Sequence, residues 1–201
     1  MNGGDWVKGT PLFFAVRDNA EETVRLLLNH KAEINCLYER HTNGGASLLP
    51  LAIRNSNLNI VKSLLGAGAD ANKKGRGGAT SLHEAIQSAR EPQDELILAR
   101  LLRHEGVDVH AQNEEGNTPL HLAVFLVRPR WVIVLLAAQE GESAHLNVHN
   151  ILNFKGLSPI TMLDEIIRFH EGFRMPELIQ MRNSLGNTSM DPAFMLTPYE
   201  D

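Results

Sequence analysis

The strongest constraint on this chain is a phrase that it repeats. Gly116-Asn117-Thr118-Pro119-Leu120-His121-Leu122-Ala123 has the chemistry of a turn that becomes a helix. Gly116 frees the backbone to turn, Thr118 offers its hydroxyl as an N-cap, and Pro119 follows where a missing N–H costs nothing. Leu120 and Ala123 then fall on one helical face. Near copies occur at Thr10-Pro11-Leu12-Phe13-Phe14-Ala15, at Ser47-Leu48-Leu49-Pro50-Leu51-Ala52 and at Thr80-Ser81-Leu82-His83-Glu84-Ala85. A degenerate copy is Ser158-Pro159-Ile160-Thr161-Met162. The copies start at residues 10, 47, 80, 118 and 158, so their spacings are 37, 33, 38 and 40. In the first two, a double leucine (Leu27-Leu28, Leu64-Leu65) begins 17 residues after the start, in phase for a second amphipathic helix. A period of this size means a row of small units, each burying its apolar face only against its neighbours.

The unit resembles the ankyrin repeat, a β-turn and two helices around T-P-L-H-x-A. Its closing phrase also matches, as Ala32-Glu33-Ile34-Asn35, as Gly66-Ala67-Gly68-Ala69-Asp70-Ala71-Asn72 and as Gly106-Val107-Asp108-Val109-His110. The resemblance implies an all-α fold: a solenoid of stacked helix-turn-helix units with β-hairpin loops. Repeats beginning near 9, 46, 79, 117 and 157 would form one domain over residues 1–185. The last would be a C-terminal cap, with helices over residues 159–170 and 176–185, and residues 186–201 would be a tail.

Departures from a 33-residue period can be placed. Four extra residues lie between Asn35 and Ser47, and four more near residues 89–94. Single insertions fall near His104 and before Ser158, and six residues are added within 137–145. All sit where loops are expected, since packed helices cannot absorb them.

Composition narrows the function classes. The net charge of −5 argues against a general nucleic-acid or anionic-membrane surface. A single cysteine, Cys36, excludes a disulfide within the chain and suits a reducing, intracellular site, cytoplasmic or nuclear. The longest apolar run, residues 124–138, is broken by Arg128, Pro129 and Arg130, so no membrane span is expected.

No catalytic, cofactor or metal site emerges. By the resemblance, His83 and His121 occupy a slot whose histidine hydrogen-bonds between repeats. His104 and His110, and His145 and His149, lack the spacing of a metal motif. Cys36, near Tyr38, Arg40 and His41, reads as a small residue at a hairpin edge. Gly75-Arg76-Gly77-Gly78 lacks the Lys-Ser/Thr of a phosphate loop and reads as a hairpin tip. Arg128-Pro129-Arg130-Trp131 reads as a solvated loop between two helices.

The resemblance implies partner binding through the hairpin tips and the exposed side of each first helix. Register then places the candidates: Trp6, Arg17 and Asp18; Tyr38, Glu39, Arg40, His41, Arg54 and Asn55; Arg76 and Gln87; Glu114, Glu115 and Phe125; Phe154 and Lys155. Aromatics and arginines are the usual anchors of interfaces. The long tip at residues 37–45 adds reach at small cost in loop entropy. The expected function is a non-enzymatic, monomeric scaffold or adaptor for a protein partner, as a regulator or a host-directed effector. The alternatives are an adaptor domain of a larger enzyme, or a nucleic-acid surface on a tip edge rich in arginine, through Arg17, Arg40, Arg54 and Arg76. Asn35 and Asn72 also match, by resemblance, the ankyrin asparagines that an oxygen-sensing hydroxylase modifies: each has Leu eight residues before and an acid two before.

Overall fold

The computed structural model describes residues 6–7, 9–38, 47–89, 93–138, 151–169 and 176–186, with Trp6, Val7, Leu37 and Tyr38 given by their backbone. Each repeated phrase opens a helix. These first helices are α1 (Pro11–Arg17), α3 (Leu48–Arg54), α5 (Ser81–Ser88), α7 (Pro119–Phe125) and α9 (Pro159–Phe169). Each is followed by a second: α2 (Glu21–Asn29), α4 (Leu58–Gly66), α6 (Gln93–Leu102), α8 (Pro129–Ala138) and α10 (Pro176–Gly186).

The helices start where capping chemistry puts them. The Thr10 hydroxyl accepts from Phe13 N at 3.2 Å, and Thr118 accepts from His121 N at 3.4 Å. Thr80 and Thr118 also form reciprocal boxes, in which histidine Nδ1 accepts from the threonine N–H at 3.2 Å. In the degenerate copy Thr161 takes the histidine's part, with Ser158 N donating to Thr161 Oγ1 at 2.8 Å.

The chain divides into two compact units, residues 1–115 and 116–201. In the first, α1, α3 and α5 pack side by side in one layer, and α2, α4 and α6 in another. Leu48, Leu49, Ile53, Ile60, Leu64, Leu82, Ile86, Leu98 and Leu101 fill the space between them. In the second, α7 packs on α9 and α8 on α10 around Leu120, Ala123, Val124, Val132, Leu135, Leu163 and Met181. Val24 is buried as its helical spacing demands, but Leu27 and Leu28 are only half-buried. They belong to α2, which packs on α1 and α4.

The tips differ in detail from simple hairpins. A two-residue bridge, β1 (Trp6–Val7) with β2 (Leu37–Tyr38), is parallel and joins one tip to the next. Turns close within the tips at Gly75 N to Ala79 O (2.8 Å) and at Asn153 N to Leu157 O (2.9 Å).

The turn from first to second helix demands a left-handed residue. Asn19 (φ 60°), Ser56 (φ 53°) and Val127 (φ 52°) supply it. For β-branched Val127 this is strained, because Cβ crowds the following carbonyl. Val127→Asn is expected to stabilise the second unit by about 1 kcal/mol, read as a rise in its urea midpoint. An unchanged or lower midpoint would show that the strain is already relieved.

Candidate partner-binding surface

The polar seams that join repeats account for several candidate residues before any partner is considered. At the tips, Asn35 Nδ2 donates to Gly68 O at 3.0 Å and Asn35 Oδ1 accepts from Asp70 N at 2.9 Å. Asn72 repeats the pattern one unit on, with Gly106 O at 2.6 Å and Asp108 N at 2.8 Å. Both asparagines are therefore held by side-chain amide hydrogen bonds across repeats. At the opposite end of the helices, Asn55 Nδ2 donates to Val16 O at 2.9 Å. Asn57 Nδ2 reaches Asn19 Oδ1 at 2.8 Å and Glu21 Oε1 at 2.9 Å. Asn55 thus ties α3 to the end of α1.

The first-helix face of unit one carries a polar row. Arg17 forks onto Asp18, with Nε–Oδ1 2.8 Å and Nη2–Oδ2 3.2 Å, and lies 4.8 Å above the Phe14 ring. The hydrogen bond from Arg17 holds the exposed Asp18 carboxyl below its usual range. Arg54 Nε lies 3.5 Å from Glu84 Oε1, linking α3 to α5. Burial pushes the Glu84 carboxyl up, and Arg54 only partly offsets it. Gln87 is exposed one turn further along α5.

Arg17 and Arg54 close the last turns of α1 and α3, whereas Arg76 sits in the loop before α5. The expected arginine-rich tip edge is therefore not formed by the described arginines. Its members sit at both ends of the first helices because each repeat places its variable residues before and after the packed turns. Glu39, Arg40 and His41, and most of the long tip at 37–45, lie outside the described residues, as does most of the 137–145 insertion. Trp6 and Tyr38 enter through the backbone pairing alone.

In unit two the exposed end of α7 is apolar. Phe125 is 64% exposed and is followed by exposed Leu126. At the tip, Phe154 is 75% exposed, between exposed Leu152 and Lys155. That tip is fixed from below. Asn153 is buried, accepts at Oδ1 from Lys155 N and Leu157 N (3.0 Å each), and donates to Asn117 Oδ1 at 2.9 Å. In unit one the acidic tip Glu114-Glu115 is exposed, with Glu114 N donating to Gly77 O at 2.9 Å.

Other candidate chemistry resolves into structure. Both His83 and His121 are buried, and His121 Nε2 lies 3.0 Å from Leu157 O, in the next repeat. Cys36 is buried. Arg128-Pro129-Arg130-Trp131 is not a solvated loop: Pro129 begins α8, Trp131 is buried, and the Arg128 guanidinium lies 5.7 Å from its ring centre. The proline at a first helical position marks this start in the sequence. Among the described residues no group of three or more His, Cys, Asp and Glu is placed to hold a metal ion, and no helix is long and apolar enough to cross a membrane. Lys73 and Lys74, beside Arg76, escaped the register argument because the glycines around them read only as a turn.

The family model for ankyrin repeats, in its description three copies, matches residues 2–75 and 49–150. This chain belongs to the ankyrin repeat family. Its ankyrin repeats are similar to those of an ankyrin repeat protein of fowlpox virus (strain NVSL), at 37% identity over 118 residues, 57% of this chain and 33% of that protein. The mouse B-cell lymphoma 3 protein homolog is 33% identical over 135 residues, 67% of this chain and 28% of that one. Human neurogenic locus notch homolog protein 4 is 41% identical over 103 residues, half of this chain but only 5% of its own length. The chain thus spans a third or less of each of these relatives.

Proposed function

We propose that this ankyrin repeat chain is a non-enzymatic adaptor that binds a protein partner through its first-helix faces and tips. We read residues 1–185 as its repeat domain, acting as a monomer in a reducing compartment, cytosol or nucleus. The observation that carries the reading is the display of Phe125 and Phe154. Both are large, apolar and exposed, and Phe154 stands on a tip held by the hydrogen bonds of Asn153 to Asn117, Lys155, Gly156 and Leu157. Pre-ordered aromatics contribute to binding with little entropy to lose. In the first unit, the polar row of Arg17, Arg54 and Gln87 is a separate candidate contact, in which Arg17 and Arg54 are held by Asp18 and Glu84.

The test is capture by the tagged full chain, comparing the parent with Phe125→Ala and Phe154→Ala after circular dichroism has shown both variants folded. Proteins held by the parent are expected to be lost from each variant, with binding weakened about tenfold or more. An identical captured set and identical affinities from all three chains would refute this surface.

A further inference from the structure

The densest positive charge among the described residues lies on the tip Lys73-Lys74-Gly75-Arg76, in a chain whose net charge is −5. The tip is a built element. Gly75 N donates to Ala79 O at 2.8 Å and Gly78 N to Gly75 O at 3.1 Å, so Arg76 stands at the apex of a closed turn. Gly78 (φ +69°) is required there, since a Cβ would lie 2.8 Å from Glu114 N on the next tip. Lys73 Nζ donates back to Asn35 O, and Lys74 Nζ donates forward to Gln112 O at 2.8 Å. The two ammonium groups are thus strapped to the tips on either side. Each ammonium carries three donors, so each lysine has two more beyond the bond to its neighbouring tip. Arg76 is exposed, and its guanidinium has no partner among the described residues.

We propose that this three-cation island binds a short acidic segment of the partner protein. The inference rests on the adaptor reading and names the chemistry of one contact. Its three cations point to separate places, one toward each neighbouring tip and one at the apex. That arrangement suits carboxylates distributed along an extended chain rather than one compact anion. The surroundings limit the length of the anion. Asp70 is exposed on the preceding side, and Glu114 and Glu115 are exposed on the following tip. A long polyanion such as a nucleic acid would run from the island onto these acids within about one Debye length, roughly 8 Å at physiological salt. A short acidic stretch ends before it meets them. Such contacts steer association and fix register more than they add affinity.

The experiment uses the full chain and fluorescence anisotropy with labelled hexaglutamate, with hexaglutamine and oligothymidylate as comparisons, at low and physiological salt. Hexaglutamate is expected to bind, to weaken with salt, and to lose about fivefold in affinity with Arg76→Glu, which breaks no described bond. Lys62→Glu, on the exposed side of α4, is expected to bind like the parent. Equal binding by Arg76→Glu and the parent overturns the proposal. So does hexaglutamine binding as well as hexaglutamate, or oligothymidylate binding more tightly than either. Loss of this contact while capture still depends on Phe125 and Phe154 removes the acidic-segment inference and leaves the adaptor reading standing.

Discussion

Gly116→Val is expected to abolish stable folding of the second unit, at a cost of about 4 kcal/mol. Gly116 is buried with φ +76°, and a Cβ there would lie 2.6 Å from Phe154 N and 2.7 Å from Phe154 Cδ1. The first obstacle is backbone, which cannot rotate away. Left-handed strain adds to the clash, because a β-branched residue is disfavoured at positive φ. Gly156→Val separates the two causes. Gly156 has φ +75° but nothing within 4 Å of an added Cβ. It is expected to cost only the strain, about 1–2 kcal/mol. Buried Trp131 reports on this unit, so urea unfolding followed by its fluorescence in a Trp6→Phe background reads both variants. Equal midpoints for the two would show that the close approach to Phe154 contributes nothing.

His121→Ala is expected to cost about 3 kcal/mol in the same assay. The ring is fully buried. Nδ1 lies 2.8 Å from Thr118 Oγ1 and accepts from Thr118 N at 3.2 Å, while Nε2 lies 3.0 Å from Leu157 O. Those partners fix a neutral ring with its proton on Nε2, donating to the carbonyl. Protonating Nδ1 would set its N–H against the Thr118 N–H and lose the bond accepted there, even though Thr118 Oγ1 could then accept. Burial accordingly holds His121 below the ordinary imidazole value of 6.5, although the bond to Leu157 O works the other way. The sign follows from proton binding. Near pH 6 the unfolded chain takes up a proton at this site that the folded unit does not. The stability contributed by neutral His121 is therefore complete above about pH 6.5 and is lost as pH falls from there toward the depressed folded value. His110, lowered mainly by burial against the pull of Asp108, acts in the same direction in the first unit. Between pH 7 and pH 5 the parent's second unit should lose stability more steeply than His121→Ala. Parallel profiles would mean that His121 titrates alike in both states.

The repeat register was legible because each phrase answers to local physics. Thr10, Thr80 and Thr118 cap because a hydroxyl satisfies an orphan N–H wherever the chain turns into a helix. Leu12, Leu49, Leu82 and Leu120 are buried because each follows its cap at the same helical phase. Phe125 and Phe154 could be placed on the outer surface by the same count. The variable slot of Asn55 places it among the partner contacts, but its amide donates to Val16 O, which is 39 residues away. The arginines misled for a related reason. Register fixes which face a residue shares, but Arg17 and Arg54 sit a helix length from the tip that carries Arg76.

By itself, the sequence determined the repeat, its phase, its caps and which positions stay variable, since these depend on neighbours three or four residues apart. The tertiary structure alone decided which variable residues are used within the stack and which remain on display. Asn35, Asn72 and Asn55 are held across repeats, and Lys73 and Lys74 are strapped to adjoining tips. Those outcomes depend on bonds between residues more than thirty positions apart, and no local pattern encodes their geometry.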